Sequence, residues 1–369
     1  MIKVLHYGLS PICGGIERSL DRLWTNIDKD IFQFDFIDEW NGRAYYREKF
    51  EAMGAKFFTI PSRRESVINN IKAWNSIPKD KYPDILHCHM NTLSYVYPLY
   101  WAMDRGIPVL LHSRSSGMKG SSITYVLHSI NKIRLKRKNI NRIAVSQEAG
   151  KWLFGEKSSF ITIHNGIDKK KFVFSEQNRY LVRRELNIDE NTFLIGAVGH
   201  LSVEKNIPFM LNIIDSIKEK KKECKLMIVG DGCLKDNVVQ YINNKNLAKQ
   251  VLLLGHVDNS ERYYSAMDLY IMPSIREGFP NAALEAQANG LHCLLSNTIT
   301  REVDGGLCKF LPIIAGTEGW VSEIMGFMEA NDKKRESSFG VDAFSIENEL
   351  EYFRELYLCI YKDKKEIGI

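Results

Sequence analysis

The chain has 369 residues, 44% of them apolar, and a net charge of only +5. That length and apolar content suffice for two hydrophobic cores, whereas the longest apolar runs, such as Val251-Leu252-Leu253-Leu254, are too short to span a bilayer, and residues 1–7 lack the pattern of a secretory leader. Seven cysteines, odd in number and without a Cys-x-x-Cys pair, point to reduced packing residues in a cytoplasmic protein and exclude a disulfide framework.

In chain order, residues 2–7 are predicted to form a strand, followed by a glycine loop and an amphipathic helix over 16–27. Further strands are predicted over 32–37, 56–60, 85–89, 108–112, 142–146 and 159–163, with helical patterns between several of them. A second series begins after Phe172, with strands over 193–198, 225–229, 251–254, 269–272 and 292–295, again separated by helices. The last helix is predicted over 346–361, with Ser345 as its N-cap and Ile346, Leu350, Phe353, Tyr357 and Ile360 on one face. Strands that alternate with helices in this way predict parallel sheets wrapped by helices. The expected fold is therefore α/β, with Rossmann-like domains over 1–172 and 173–345 and the last helix free to pack back on the first.

Charge is unevenly shared. Residues 1–172 hold 27 Lys+Arg against 16 Asp+Glu, and the remainder hold 23 against 29. Much of the excess lies in Lys132-Ile-Arg134-Leu-Lys136-Arg137-Lys138, next to Ile123, Tyr125, Val126, Leu127, Ile130 and Ile133. A basic amphipathic helix of this kind either docks on an anionic membrane surface or is an ordinary solvated face, and the pattern alone weighs the two about equally. Nucleic acid fits less well, because no stacking aromatics interleave with the basic residues and no zinc or recognition-helix motif occurs.

In open α/β sheets, ligands bind beyond the carboxyl ends of the strands, so the loops there carry the chemistry. The segment Glu277-Gly-Phe-Pro-Asn-Ala-Ala-Leu-Glu285 puts one carboxylate on a turn and a second about two helical turns on. A helix starting near Pro280 would aim its free N–H groups at a phosphate, while the two acceptor-only carboxylates would suit sugar hydroxyls. Taken alone, the motif reads equally well as a solvated helix. Gly8 to Glu17, with paired Gly14 and Gly15, lets backbone approach a ligand but lacks the dinucleotide spacing. Gly199 to Asn206 offers Lys205 to a diphosphate and Asn206 as a helix cap. Val229-Gly-Asp-Gly232 is a tight turn, able to admit a nucleotide or merely to turn the chain. His87-Cys-His89 has two histidines at metal-binding spacing without an evident third ligand, so that a polar active-site histidine, or core packing for His87, is the better reading.

Taken together, Gly196-Ala-Val-Gly-His-Leu-Ser-Val-Glu-Lys-Asn, Val229-Gly-Asp-Gly, Ala266-Met-Asp268-Leu-Tyr-Ile-Met-Pro273-Ser and the Glu277 to Glu285 pair resemble, in order and spacing, the family 4 retaining glycosyltransferases. Gly14-Gly15-Ile-Glu17, Asp84-Ile-Leu-His-Cys-His89 and His164-Asn165-Gly166-Ile-Asp168 extend the likeness over nearly the whole chain, and the segment through Val303 looks most like the bacterial exopolysaccharide and capsule branch. The resemblance implies a GT-B fold, two Rossmann-like domains whose parallel sheets face across a cleft. It also implies a sugar donor activated by a nucleotide diphosphate, with UDP the expected nucleotide, and a saccharide or lipid-linked saccharide acceptor.

By the same likeness Glu277 would hold the donor sugar, Glu285 the ribose, and Gly278, Phe279, Pro280, Asn281 and Ala282 the sugar and diphosphate. Lys205 would neutralise the leaving group, and Gly15 and His89 would approach from the first domain, with Arg114, His112 and Asn165 on the acceptor side. The family usually has an arginine where this chain has His200; either that histidine becomes protonated by the diphosphate or Arg276, Arg114 or Arg18 compensates. No metal and no cofactor are expected, since the only Asp-x-Asp, Asp28-Lys-Asp30, reads as a solvated turn. A sugar-nucleotide epimerase and a catalytically silent sugar-nucleotide-binding subunit are the alternatives. The expected location is cytoplasmic, peripheral at the inner face of the membrane.

Overall fold

The computed structural model describes residues 1–118, 120–220, 222–330, 335 and 339–366. The chain divides into two compact units, unit 1 comprising 1–166 with 346–369 and unit 2 comprising 167–345.

Unit 1 holds seven strands, β1 (Ile2–Tyr7), β2 (Phe32–Asp38), β3 (Lys56–Thr59), β4 (Ile85–Met90), β5 (Val109–Ser113), β6 (Asn141–Ala144) and β7 (Ile161–Thr162). Unit 2 holds six, β8 (Phe193–Val198), β9 (Cys224–Val229), β10 (Val251–Gly255), β11 (Leu269–Met272), β12 (Cys293–Ser296) and β13 (Cys308–Leu311). Both sheets are parallel, ordered β3-β2-β1-β4-β5-β6-β7 and β10-β9-β8-β11-β12-β13. The strands β4, β11 and β12 are buried at every position, which is why β11 reads as a short apolar run without alternation, whereas β4 buries two histidines, His87 and His89. β13, absent from the expected elements, is a half-buried four-residue edge strand. In each sheet the strand order reverses once, between β1 and β4 and between β8 and β11. Loops that leave the sheet at such a point diverge and open a crevice for ligands.

The core of unit 1 is aromatic, with Trp24, Phe32, Phe34, Phe36 and Phe50 packed together and Phe353, Tyr357 and Ile360 added by the last helix, Ile346–Glu366. That helix belongs to unit 1 although it follows the whole of unit 2. Glu349 fastens it. Its carboxylate, almost wholly buried, accepts from the Gly166 amide at 2.9 Å, the Ser19 hydroxyl at 3.3 Å and Arg22 Nε at 3.3 Å. The unit boundary lies at Gly166 and not at Phe172, because Phe172 packs edge-on against Tyr264 and its carbonyl accepts from Asn289. Unit 2 buries Ile195, Leu211, Ile214, Leu226, Ile271 and Trp320 in its own core.

Candidate active site

The reversal point of unit 2 is assembled by close backbone approach. A Cβ added to Gly230 would lie 2.0 Å from the Gly199 carbonyl oxygen, and one on Gly232 would lie 2.5 Å from that of Leu201, so the loops after β8 and β9 can touch only as glycine. Gly199 (φ +150°) and Gly230 (φ +145°) also adopt backbone conformations that side chains disfavour. A single 3₁₀ turn, Val203–Lys205, then presents Lys205. Asn206 does not cap the next helix through its side chain: its backbone is left-handed, and its amide instead donates to the Pro273 carbonyl at 3.2 Å, tying the β8 loop to the β11 loop. Glu204 adds to that tie through its carbonyl, which accepts from the Ile275 amide, and its carboxylate, 3.0 Å from Arg276.

Across this junction Lys205 Nζ donates to Glu277 Oε1 at 2.7 Å, with both side chains less than one-fifth exposed. Pro280 stands at the N-cap of helix Asn281–Ala288, and its carbonyl accepts from Ala283 and Leu284. Phe279 is buried and packs on Phe344. Glu285, one turn into the helix, is 8% exposed and accepts from the fully buried Tyr264 hydroxyl at 2.7 Å. Tyr270 is fully buried, its phenol raised well above the usual tyrosine range by burial and, to a lesser extent, by the nearby Cys293, Glu277 and Glu285. Glu277 and Glu285 both act on the Tyr270 phenol, and Lys205 is paired with Glu277. His200 is exposed, beside Asp231, whose carboxyl is held below its usual range by hydrogen bonds from Lys235 and the Gly232 amide.

The reversal point of unit 1 is built as closely. Gly8 (φ +129°) packs on β4, where a Cβ would lie 2.4 Å from the His89 carbonyl oxygen. Glu17 clamps the glycine loop, accepting from the Ser10 amide at 2.8 Å and the Gly14 amide at 2.9 Å, while a Cβ on Gly15 would meet no atom within 4 Å. The buried Arg114 donates to the Gly15 carbonyl at 3.1 Å and lies 3.2 Å from His112 Nε2. His112, at 1% exposure, therefore supports Arg114 from below. Asn165 is buried in the loop that His164 fixes by donating to the Val145 carbonyl. Asp28-Lys-Asp30 is exposed, with the Asp28 carboxylate accepting from the Asp30 amide, as a solvated turn does.

The fold also supplies what the His87-Cys-His89 spacing lacked. His6, on β1, brings a third imidazole beside β4, and nitrogens of His6, His87 and His89 lie within 4.8 Å of one another. These are the described residues best placed to hold a metal. Their nitrogens are also paired, His6 Nδ1 with His89 Nε2 at 3.1 Å, His87 Nε2 with Nδ1 of a fourth histidine, His112, at 3.2 Å, and His87 Nδ1 with the Tyr357 hydroxyl at 2.7 Å. Burial holds all four histidines below the ordinary imidazole range, His6 at about 3. They are neutral rings in a packed layer.

Residues 178–302 match the model of the family described as glycosyl transferases group 1. The chain is similar to EpsF of Bacillus subtilis (strain 168), itself a provisionally assigned glycosyltransferase, with 29% identity over 347 residues and 90% of each chain covered. It is also similar to the UDP-Gal:alpha-D-GlcNAc-diphosphoundecaprenol alpha-1,3-galactosyltransferase of Escherichia coli, at 25% identity with 98% of each chain covered. Among solved structures, HepE of Anabaena in complex with UDP and glucose superposes with a TM-score of 0.78, covering 96% of this chain and 99% of that one. At 17% identity, that likeness speaks to the fold, which is the two-unit Rossmann-like architecture of the GT-B glycosyltransferases.

Within residues 178–302, geometry separates structural motif residues from those available to a ligand. Asp268 is structural. Its carboxylate accepts from Arg179 at 2.6 Å, Arg183 at 3.3 Å and the Leu194 amide at 2.8 Å, locking helix Glu176–Glu185 and β8 to the start of β11. Tyr264 is a site neighbour outside every quoted motif, and Glu204 and Tyr270, although inside motifs, are not singled out as site residues by the sequence. An aspartate, a proline or a glycine pair announces itself by residue type; a buried tyrosine at the foot of a carboxylate reads as core.

Proposed function

We propose that the chain is a glycosyltransferase that moves a sugar from a UDP-linked donor to a saccharide or lipid-linked saccharide acceptor in bacterial exopolysaccharide or capsule synthesis, retaining the anomeric configuration and needing no metal. The observation that carries this reading is the Lys205–Glu277 pair, 2.7 Å across the reversal point of unit 2. The E. coli relative, named for UDP-Gal as donor and a GlcNAc-diphosphoundecaprenol acceptor, and the UDP and glucose bound to HepE support the donor and acceptor classes.

In this reading Glu277 orients hydroxyls of the donor sugar, and Lys205, released in part from Glu277, turns to the diphosphate. The bond from the anomeric carbon to the diphosphate breaks and its electron pair leaves with the diphosphate. The acceptor hydroxyl forms the new bond on the same face, and its proton passes to the departing phosphate oxygen. The N-terminal amides of helix Asn281–Ala288 and Lys205 meet the charge that develops there. Glu285, held by Tyr264, takes the ribose hydroxyls. In unit 1, Gly15, Arg114 and Asn165 are assigned to the phosphate and acceptor, with His112 positioning Arg114, whereas His89, paired with His6 in the packed layer, is not assigned a ligand.

Lys205→Ala is expected to weaken UDP binding about ten- to a hundredfold, the loss of a charge-assisted hydrogen bond to the diphosphate; calorimetric titration with UDP checks it. Transfer in the presence of EDTA is expected to proceed at the untreated rate. A strict need for magnesium or manganese would overturn the metal-free reading and direct attention to His6, His87 and His89.

A further inference from the structure

Helix Ser122–Leu135 is inside out. Its N-cap Ser121 accepts from the Thr124 amide, and the helix then runs fourteen residues. Its buried side is short and polar: His128 accepts from the Leu93 amide at 3.0 Å and stacks on Trp152, Asn131 donates to the Leu93 carbonyl at 2.7 Å, and Leu135 alone is apolar. Its apolar residues face solvent. Ile123 (71% exposed), Val126 (56%), Leu127 (42%), Ile130 (40%) and Ile133 (75%) recur at i, i+3, i+4, i+7 and i+10, which is one stripe of a helix with 3.6 residues per turn.

A surface helix normally buries such a stripe, and a contiguous exposed patch of large aliphatic side chains marks an interaction face. The charge at its end says which. Arg134, Lys136, Arg137 and Lys138 are all exposed just past the stripe, and no acidic residue occurs between Asp104 and Glu148. A two-fold contact with a second copy would set these four cations against the same four cations, because it places the same patch on both sides. An anionic lipid surface offers both what the stripe and the cations require, acyl chains below and phosphates above.

We propose that helix Ser122–Leu135 lies in the headgroup–acyl boundary of an anionic bilayer, with Ile123, Val126, Leu127, Ile130 and Ile133 in the acyl region and Arg134, Lys136, Arg137 and Lys138 on the lipid phosphates. The His128, Asn131 and Leu135 side keeps the helix fixed to unit 1, so docking requires no unfolding. Among the described residues no helix is long and apolar enough to cross a membrane; this helix lies on one. The inference stands on this segment alone and is independent of the donor chemistry.

The test is co-sedimentation of the full chain with vesicles of phosphatidylcholine, with and without phosphatidylglycerol, at low and high salt. The parent is expected to bind the phosphatidylglycerol vesicles and to bind them less as salt screens the phosphates. Changing Ile123, Val126, Ile130 and Ile133 together to Ser is expected to reduce that binding by about a hundredfold or more. Changing Arg134, Lys136, Arg137 and Lys138 to Gln is expected to abolish the preference for phosphatidylglycerol, by roughly two orders of magnitude. Both sets of side chains are already in solvent, so thermal melts of the variants should match the parent, and transfer to a water-soluble acceptor should persist. Equal parental binding to both vesicle types, no binding, or either variant binding as the parent does would overturn the proposal. So would sedimentation velocity showing a parental dimer that the serine variant dissolves, with no vesicle binding, since the stripe would then be covered by a second copy.

Discussion

Glu277→Gln is expected to lower sugar transfer by about two orders of magnitude or more while leaving the fold intact. The substitution keeps size and one acceptor oxygen but removes the charge that Lys205 meets at 2.7 Å. In the proposed mechanism that charge is used twice, to fix the donor hydroxyls near the reacting carbon and to hold Lys205 within reach of the leaving group. The glycine contacts that build the site lie in the backbone and do not depend on it. The expected signature is therefore a fall in kcat at nearly unchanged thermal stability, with UDP still bound. A fall confined to KM would assign Glu277 to ground-state binding.

Acid is expected to destabilise the chain steeply. His6, His87, His89 and His112 are buried and neutral in the folded state, with burial the largest cause in each case. In the unfolded chain each would take up a proton near the ordinary histidine value of about 6.5. The unfolded state therefore binds more protons below that pH, and folding stability falls as pH falls, down towards the folded values, about 3 for His6. The four together give a slope of up to about 5 kcal/mol per pH unit. Thermal melts between about pH 7.5 and pH 5 should show the midpoint dropping, and His6→Gln should make the fall shallower by removing one proton's worth. A midpoint that stays flat over that range would contradict the neutral buried cluster.

The parts of the molecule legible in its sequence are those where a local rule and the fold agree. β8 and β11 lie at 193–198 and 269–272 as expected, because a central parallel strand is a short apolar run with turn residues at its ends. The glycines at 199, 230 and 232 were conspicuous by type, and the structure gives their reason in the 2.0 Å and 2.5 Å approaches that leave no room for a Cβ. What was not legible depends on neighbours distant in sequence. His6 stands beside His89 only because β1 pairs with β4, and nothing local to either strand says so. Asn206 looked like a helix cap, yet its side chain was recruited by a carbonyl 67 residues on. For helix Ser122–Leu135 the sequence leaves membrane docking and a solvated face open, and which side faces the protein is decided by His128 and Asn131 meeting Leu93. β13 was too short and too evenly half-buried to leave a pattern.

The most direct test of the central claim is turnover of purified protein with a panel of UDP-, GDP- and ADP-sugars, measuring nucleoside diphosphate release and sugar transfer to a saccharide or lipid-linked saccharide acceptor. The expected result is release from a UDP-sugar, accelerated by acceptor, resistant to EDTA and lost in Glu277→Gln. Release that is absent for every donor, or that persists at the parental rate in both Glu277→Gln and Lys205→Ala, would contradict the assignment of this site.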